Sequence, residues 1–354
     1  MPPRLRRVLA TGLKLLGSLA ILVAGLELGT RLLAPETRFE LIPNTFDPVC
    51  RIRQRPDAHG FVHCPEYRIE IHTSGDGFRE EREYAPAPAA TVARVLCLGD
   101  SFTCGLGVAG RETFAKVADR RLGAEVEVIN AGVVATGTAE QLAWYELAGR
   151  RYHPDLVVLA FCSNDWTDNA KGGLFSLAPD STLVQHPATE RRLHRWLRGL
   201  RTLPGYETWY ARSHFLNRFR QWYAARYHGA LERRAAGDQA APEVWRRERA
   251  LTEALLRALR DACARDGATL LLMPVPALPG SGEAERRQTE LLNFLERQDI
   301  ARLDLRPALL GGTTPIDALY YPVDGHWTPR AHAIAGEELA GTLAAMLAGP
   351  AAGP

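Results

Sequence analysis

No charge of one sign dominates this chain. Its 354 residues hold 43 Lys and Arg against 41 Asp and Glu, a net charge of +2. Specific nucleic-acid binding rests on clustered phosphate neutralisation, so the overall balance gives no reason to expect it. Metal-ligand spacings, a phosphate-binding glycine loop and a dinucleotide fingerprint are all missing. No metal or other cofactor is therefore expected. Internal repeats are also missing, and composition is ordinary, at 46% hydrophobic and 24% charged residues. That excludes a disordered, collagenous or coiled-coil chain. Long apolar runs are lacking too, with one exception at the N-terminus.

The exception runs from Val8 to Leu28 behind Arg4, Arg6 and Arg7, and it has no charge between Leu15 and Leu26. A membrane span needs about 20 residues at about 1.5 Å each. The run reaches that length if Lys14 and Glu27 snorkel towards opposite interfaces. Residues 1–34 are read first as a signal anchor, with the basic end cytoplasmic and the body exported to the periplasm or cell surface. A cleaved signal peptide is the alternative, although Pro35 disfavours the small-residue site near Ala34. A buried or interfacial amphipathic helix is the third reading. No Cys follows the run closely, which argues against a lipoprotein.

Six cysteines fit export without requiring it. Cys97, Cys162 and Cys263 lie in apolar runs and read as small core residues. Cys50 and Cys64 bracket a polar, Pro-containing loop. An oxidising compartment would let them pair, adding roughly 3 kcal/mol, and two free thiols are the alternative.

Residues 35–91 form a leader with few helical signals. Tyr67 to Thr73 alternates like a half-buried strand, Ser74 to Gly77 is a turn, and Ala85 to Ala90 reads as a linker. From Val92 the rhythm changes. Strands are expected at Arg94–Leu98, Val126–Ile129, Asp155–Phe161, Ala268–Met273 and Ile300–Leu305. Helical stretches at 112–122, 139–149, 243–265 and 283–297 separate them. A last helix to about Leu347 should open on Thr328 as N-cap with Pro329 in its first turn. Strands alternating with helices mean an α/β fold with a parallel sheet and right-handed crossovers. Residues 170–240 break the rhythm with Trp196, Tyr206, Trp209, Tyr210, Trp222, Tyr223 and many Arg. This is read as a helical insertion, either a cover over the sheet or an appendage with its own small core.

Four short signals follow the apolar strands: Gly99-Asp100-Ser101, Asn130-Ala131-Gly132, Ser163-Asn164-Asp165 and Asp324-Gly325-His326-Trp327. Each alone has a structural explanation. Gly132 suits a turn, Asp100 and the Asn164-Asp165 pair suit helix caps, and His326 suits a satisfied core histidine. Their joint placement is what counts, because ligand sites in open α/β sheets form at strand carboxyl ends. Acyl transfer is the chemistry they suit. Ser101 supplies a hydroxyl nucleophile, His326 the base that activates it, and Asp324 the carboxylate that orients the imidazole. The N–H groups of Ser101 and Gly132 and the amide of Asn164 are candidate oxyanion donors. Asp100 and Asp165 are supporting residues, Asp317 is a poorer candidate for the acid, and Cys104 reads as packing under the nucleophile.

In these blocks the chain resembles the SGNH (GDSL-type) hydrolase family, with Ser101, Gly132, Asn164 and His326 in its order. The resemblance covers about residues 92–347 and implies a flavodoxin-like three-layer α/β/α sandwich with a five-stranded parallel sheet in the order 2-1-3-4-5. The segment His72-Thr-Ser-Gly-Asp-Gly-Phe-Arg79 with Glu83, and the run end Leu26-Glu-Leu-Gly-Thr-Arg31, are similar to membrane-anchored bacterial members. Two features depart from the family pattern. Cys162 stands where a Gly is usual, and Asp324 is two residues before His326 where three are common. The Asp-x-His-Trp form is similar to acetyltransferases acting on exported polysaccharides. The expected activity is therefore a serine esterase acting on a glycan or lipid-linked acyl ester. An O-acyltransferase with the same residues is the alternative, and a non-catalytic glycan-binding protein a lesser one.

Overall fold

The computed structural model describes residues 2–33, 39–190, 241–277 and 282–348. Between 191 and 240 it also describes 203–206, 212–219 and a few single positions. The expected aromatics Trp196, Trp209, Tyr210 and Tyr223 lie outside the described residues, as does Ala34. Two compact units divide the chain. One comprises 1–41, 63–65 and 193–239, and the other 42–62, 66–192 and 240–354.

The larger unit is a three-layer α/β/α sandwich. Its sheet is built from β1 (Ala93–Gly99), β2 (Val126–Asn130), β3 (Leu156–Phe161), β4 (Thr269–Pro274) and β5 (Ala301–Arg302). All pairings are parallel and the spatial order is 2-1-3-4-5. The wholly apolar β3 has a direct cause. Successive side chains point to opposite faces, and both faces are covered. Leu156, Val158 and Ala160 enter one core with Phe114, Leu309 and Leu339. Val157, Leu159 and Phe161 enter the other with Leu142, Leu255 and Leu295.

The helices that form these layers, counted after an N-terminal helix α1 (Pro3–Leu33), fall near the expected places. They are α2 (Ser101–Cys104), α3 (Phe114–Leu122), α4 (Thr138–Leu147), α5 (Asp165–Gly172), α6 (Ala241–Arg265), α7 (Gly282–Arg297), α8 (Arg306–Leu310) and α9 (Pro329–Leu347). The Thr328 hydroxyl caps α9 by accepting from the N–H of Ala331 at 3.4 Å. The fifth strand is shorter than expected. After Leu303 donates to Leu272 at 2.9 Å, Asp304 turns the chain into α8 by accepting from the Arg306 N–H at 3.0 Å.

Residues 42–91 hold more strand than the sequence suggested, with an antiparallel pair Asn44–Asp47 and Arg51–Gln54 besides Arg68–His72. A second missed pair, Phe175–Leu177 with Leu183–Gln185, opens the insertion. The Cys50–Cys64 clasp is a correction: both are free thiols. Cys50 is fully buried in the core with Phe78 and Tyr84, and burial, followed by the Asp47 charge, pushes its thiol up to about 12. Its thiol is packed as an apolar group and points towards the Ile52 carbonyl at 3.7 Å.

In the smaller unit α1 spans 31 residues, and none of its most apolar window is buried. It is long and apolar enough to cross a membrane.

Candidate active site

β1 delivers the first residues of the site. Its last residue, Gly99, has φ +151, and a Cβ there would lie 2.1 Å from the Thr103 Oγ1. The chain thus turns sharply into α2, which begins at Ser101. The buried Asp100 caps this short helix by accepting from the Phe102 N–H at 2.9 Å. Burial pushes the Asp100 carboxyl up to about 6 against that hydrogen bond.

The block before α9 brings His326 opposite. Its Nε2 is 2.8 Å from the Ser101 Oγ and its Nδ1 is 2.6 Å from the Asp324 Oδ2. The Asp324 carboxylate is only 2% exposed, while the imidazole is 17% exposed. Carboxylate and imidazole are therefore shielded, with the imidazole edge still reachable. The two-residue spacing works because Gly325, at φ +79, lets the chain double back, with the Tyr321 N–H donating to the His326 carbonyl at 2.9 Å. Phe102 lies beside the imidazole, ring centroids 5.0 Å apart, and packs edge-on against the buried Trp327. Asp317 is exposed in a separate turn and takes no part in this chain of contacts.

Two contributors carried no sequence signal. The Tyr67 hydroxyl donates to the same Asp324 Oδ2 at 2.8 Å. The Glu66 carboxylate accepts from the N–H groups of Val323 and Asp324 at 2.9 and 2.8 Å. Tyr67 also packs against Tyr321, whose hydroxyl donates to the Gly107 carbonyl at 2.9 Å. Other leader residues support α2 from below. Arg79, 2% exposed, donates to the carbonyls of Cys104, Gly105 and Val108. The Gln54 amide donates to the Gly132 carbonyl at 2.6 Å and reaches the buried Cys104 sulfur.

The candidate oxyanion donors are close to the nucleophile block but engaged. Gly132 lies so near α2 that a Cβ would sit 2.3 Å from the Cys104 nitrogen. Only glycine fits that approach. Its N–H points at the Asn130 Oδ1, 3.1 Å away. The exposed Asn164 donates its amide to Asp168 at 2.7 Å. Asp165 lies fully buried behind it and accepts from the Thr138 hydroxyl at 3.0 Å. Burial, followed by the neighbouring Asp100 charge, holds the Asp165 carboxyl well above its usual range. A group of three or more His, Cys, Asp or Glu able to hold a metal is not found among the described residues.

A hydroxyl, an imidazole and a carboxylate in hydrogen-bond sequence can pass a proton from nucleophile to base. Placed at the carboxyl edge of a parallel sheet, this is the layout of an α/β ester hydrolase. The chain belongs to the GDSL-like lipase/acylhydrolase family, whose profile matches residues 97–334. It is accordingly an ester hydrolase. Several solved structures are similar in fold at low identity. The psychrotrophic esterase EstA from Pseudoalteromonas sp. is 13% identical, with a TM-score of 0.42, covering 72% of this chain and 98% of its own. The aryl esterase of M. smegmatis is 14% identical, with a TM-score of 0.41, covering 72% and 99%. A two-domain esterase active on acetylated mannans is 15% identical, with a TM-score of 0.39, covering 72% and 49%. No curated protein matches the sequence.

Proposed function

We propose that this is a membrane-anchored serine esterase that cleaves acyl esters outside the cytoplasm. Its substrate class is a glycan or lipid-linked acyl ester. The observation that carries the reading is the unbroken chain Ser101 Oγ, His326, Asp324, at 2.8 and 2.6 Å. In this reading His326 takes the Ser101 proton as the oxygen attacks the ester carbonyl. Asp324 holds the Nδ1–H and stabilises the imidazolium. The imidazolium then protonates the leaving alcohol, and water, activated by the same base, releases the acid. The Ser101 N–H, the Gly132 N–H and the Asn164 amide receive the oxyanion. The Gly132 N–H must first leave Asn130, so it is recruited as charge develops on the substrate. The Asn164 amide carries two hydrogens and can donate one while the other stays on Asp168. α1 tethers the chain, with Arg4, Arg6 and Arg7 setting the cytoplasmic end.

The test is a fluorophosphonate probe applied to the full chain in detergent. Wild type labels and Ser101→Ala does not. Equal labelling of both removes the nucleophile assignment. The Asp-x-His-Trp block keeps acyl transfer as a second reading. Incubation with an acyl donor and a glycan acceptor separates the two, because hydrolysis yields only free acid.

A further inference from the structure

We infer that the helical residues 214–219, together with Trp222, lay an aromatic face into the headgroup and acyl boundary of the bilayer crossed by α1. The inference rests on the proposed anchor. It begins with Glu27, an acid within one residue of the end of the apolar run. Its carboxylate accepts from the Ser213 hydroxyl at 2.8 Å and from the N–H groups of His214 and Phe215 at 3.0 and 3.1 Å. Arg31, one turn further along α1, closes the joint. It pairs with Glu27 at 2.7 Å and donates to the Arg212 carbonyl at 2.8 Å. Glu27 and Arg31 thus tie the start of a second helical segment to the level at which the span reaches the interface.

Beyond this joint Phe215, Phe219 and Trp222 recur at intervals of four and three residues, which places them on one helical face. Their rings form a row with centroids 6.3 and 5.9 Å apart. Phe219 is 49% exposed and Trp222 is 55% exposed, so these two rings are not buried. The sequence around it is basic. From residue 191 to 227 the sequence has nine Arg and one acid, Glu207. Aromatic rings flanked by Arg suit the acyl boundary and anionic headgroups respectively. The occupant of this face is therefore phospholipid.

Full-length protein in vesicles of anionic and zwitterionic phospholipid tests the proposal, with bromines placed either near the headgroup or deep in the chains. Trp222 is one of seven Trp. Shallow bromines should quench wild-type emission more than deep ones, and Trp222→Phe should lose about one seventh of the total signal from the quenched part. Phe219→Cys carrying an environment-sensitive dye should shift to the blue on reconstitution. If the chain floats with vesicles yet wild type and Trp222→Phe are quenched alike and the dye does not shift, the inference is overturned. Cross-linking between copies through Phe219→Cys without lipid quenching overturns it in favour of self-association. A chain that does not float with vesicles overturns the anchor itself.

Discussion

Replacing Tyr67 by Phe removes one oxygen and leaves the ring packed at a tilt against Tyr321, centroids 4.9 Å apart. The lost bond is an O–H to the Asp324 carboxylate at 2.8 Å. Hydrogen bonds to charged groups contribute about 1.5–3 kcal/mol. The Asp324 side chain is 2% exposed, so water does not readily fill the gap. The same oxygen still receives the His326 Nδ1–H, so the carboxylate is weakened rather than orphaned. That places the cost near about 1.5 kcal/mol, or roughly tenfold in kcat/KM. Because Tyr67 acts on the acid behind the base and has no assigned contact with substrate, the loss should fall on kcat, with KM little changed. The assay is steady-state hydrolysis of a short-chain aryl ester, with a thermal melt as control for folding. Glu66→Gln should behave more mildly, since its carbonyl oxygen can still accept one of the two backbone N–H groups. A Tyr67→Phe enzyme within twofold of wild type, at unchanged melting temperature, refutes the idea that the leader positions the acid.

Gly132→Ala should lower stability by about 1–3 kcal/mol or more, since the added methyl meets the α2 backbone; a mutant as stable and active as wild type contradicts the close approach. His332 is fully buried and accepts from the Phe114 N–H at 3.2 Å, and its imidazole is lowered from 6.5 to about 3, first by burial and then by the Arg79 and His326 charges. The unfolded chain binds this proton near 6.5 and the folded one only near 3. Stability from this group is thus complete above pH 6.5 and falls as pH drops from there to 3, by about 1.4 kcal/mol per pH unit. His332→Gln, which keeps an acceptor, should flatten that slope in urea melts, and an unaltered slope sinks the assignment. Arg79→Met strips three carbonyls of their donor and should cost roughly 3 kcal/mol in a denaturant titration. With Cys50 and Cys64 free, a reductant should leave the melting temperature unchanged, and a drop of several degrees would restore the clasp.

Periodicity made the sheet readable because the pattern itself reports burial. β3 is apolar at every position since both its faces are covered, and each strand of the central sheet except β5 ends near its expected place. β5 was overestimated for a local reason. Leu303 and Leu305 look like strand residues, but the Asp304 side chain captures the Arg306 N–H and starts α8. Ser101 was legible from a short motif at the end of β1, and Asp324 and His326 from the short motif before α9, and the fold brings the three within hydrogen bonds of each other. The engaged state of Gly132 and Asn164 was not, since it depends on Asn130 and Asp168, whose acceptor roles leave no pattern in a single sequence.

Glu66 and Tyr67 show why the leader was the hardest part to read. Each acts across more than 250 residues, through one carboxylate and one hydroxyl, and neither residue type at that position is distinctive. Their partners are in the block before α9, while Arg79 and Gln54 hold α2 and the Gly132 loop. Ser101 and Asp324 thus lie far apart in the chain's order, and the leader contacts the segments that carry both. Cationic Arg79 at the carbonyl end of α2 complements the partial negative charge there, and Glu66 fixes the backbone from which Asp324 projects. A catalytic sheet beginning at β1 would retain all three residues of the proton relay. It would lose the Tyr67 and Glu66 hydrogen bonds at Asp324 and the Arg79 bonds to α2, and such a relay needs its members held at hydrogen-bond spacing. The segment between the apolar run and the first sheet strand is therefore packed into the candidate site, and the Tyr67→Phe assay decides whether it contributes to catalysis.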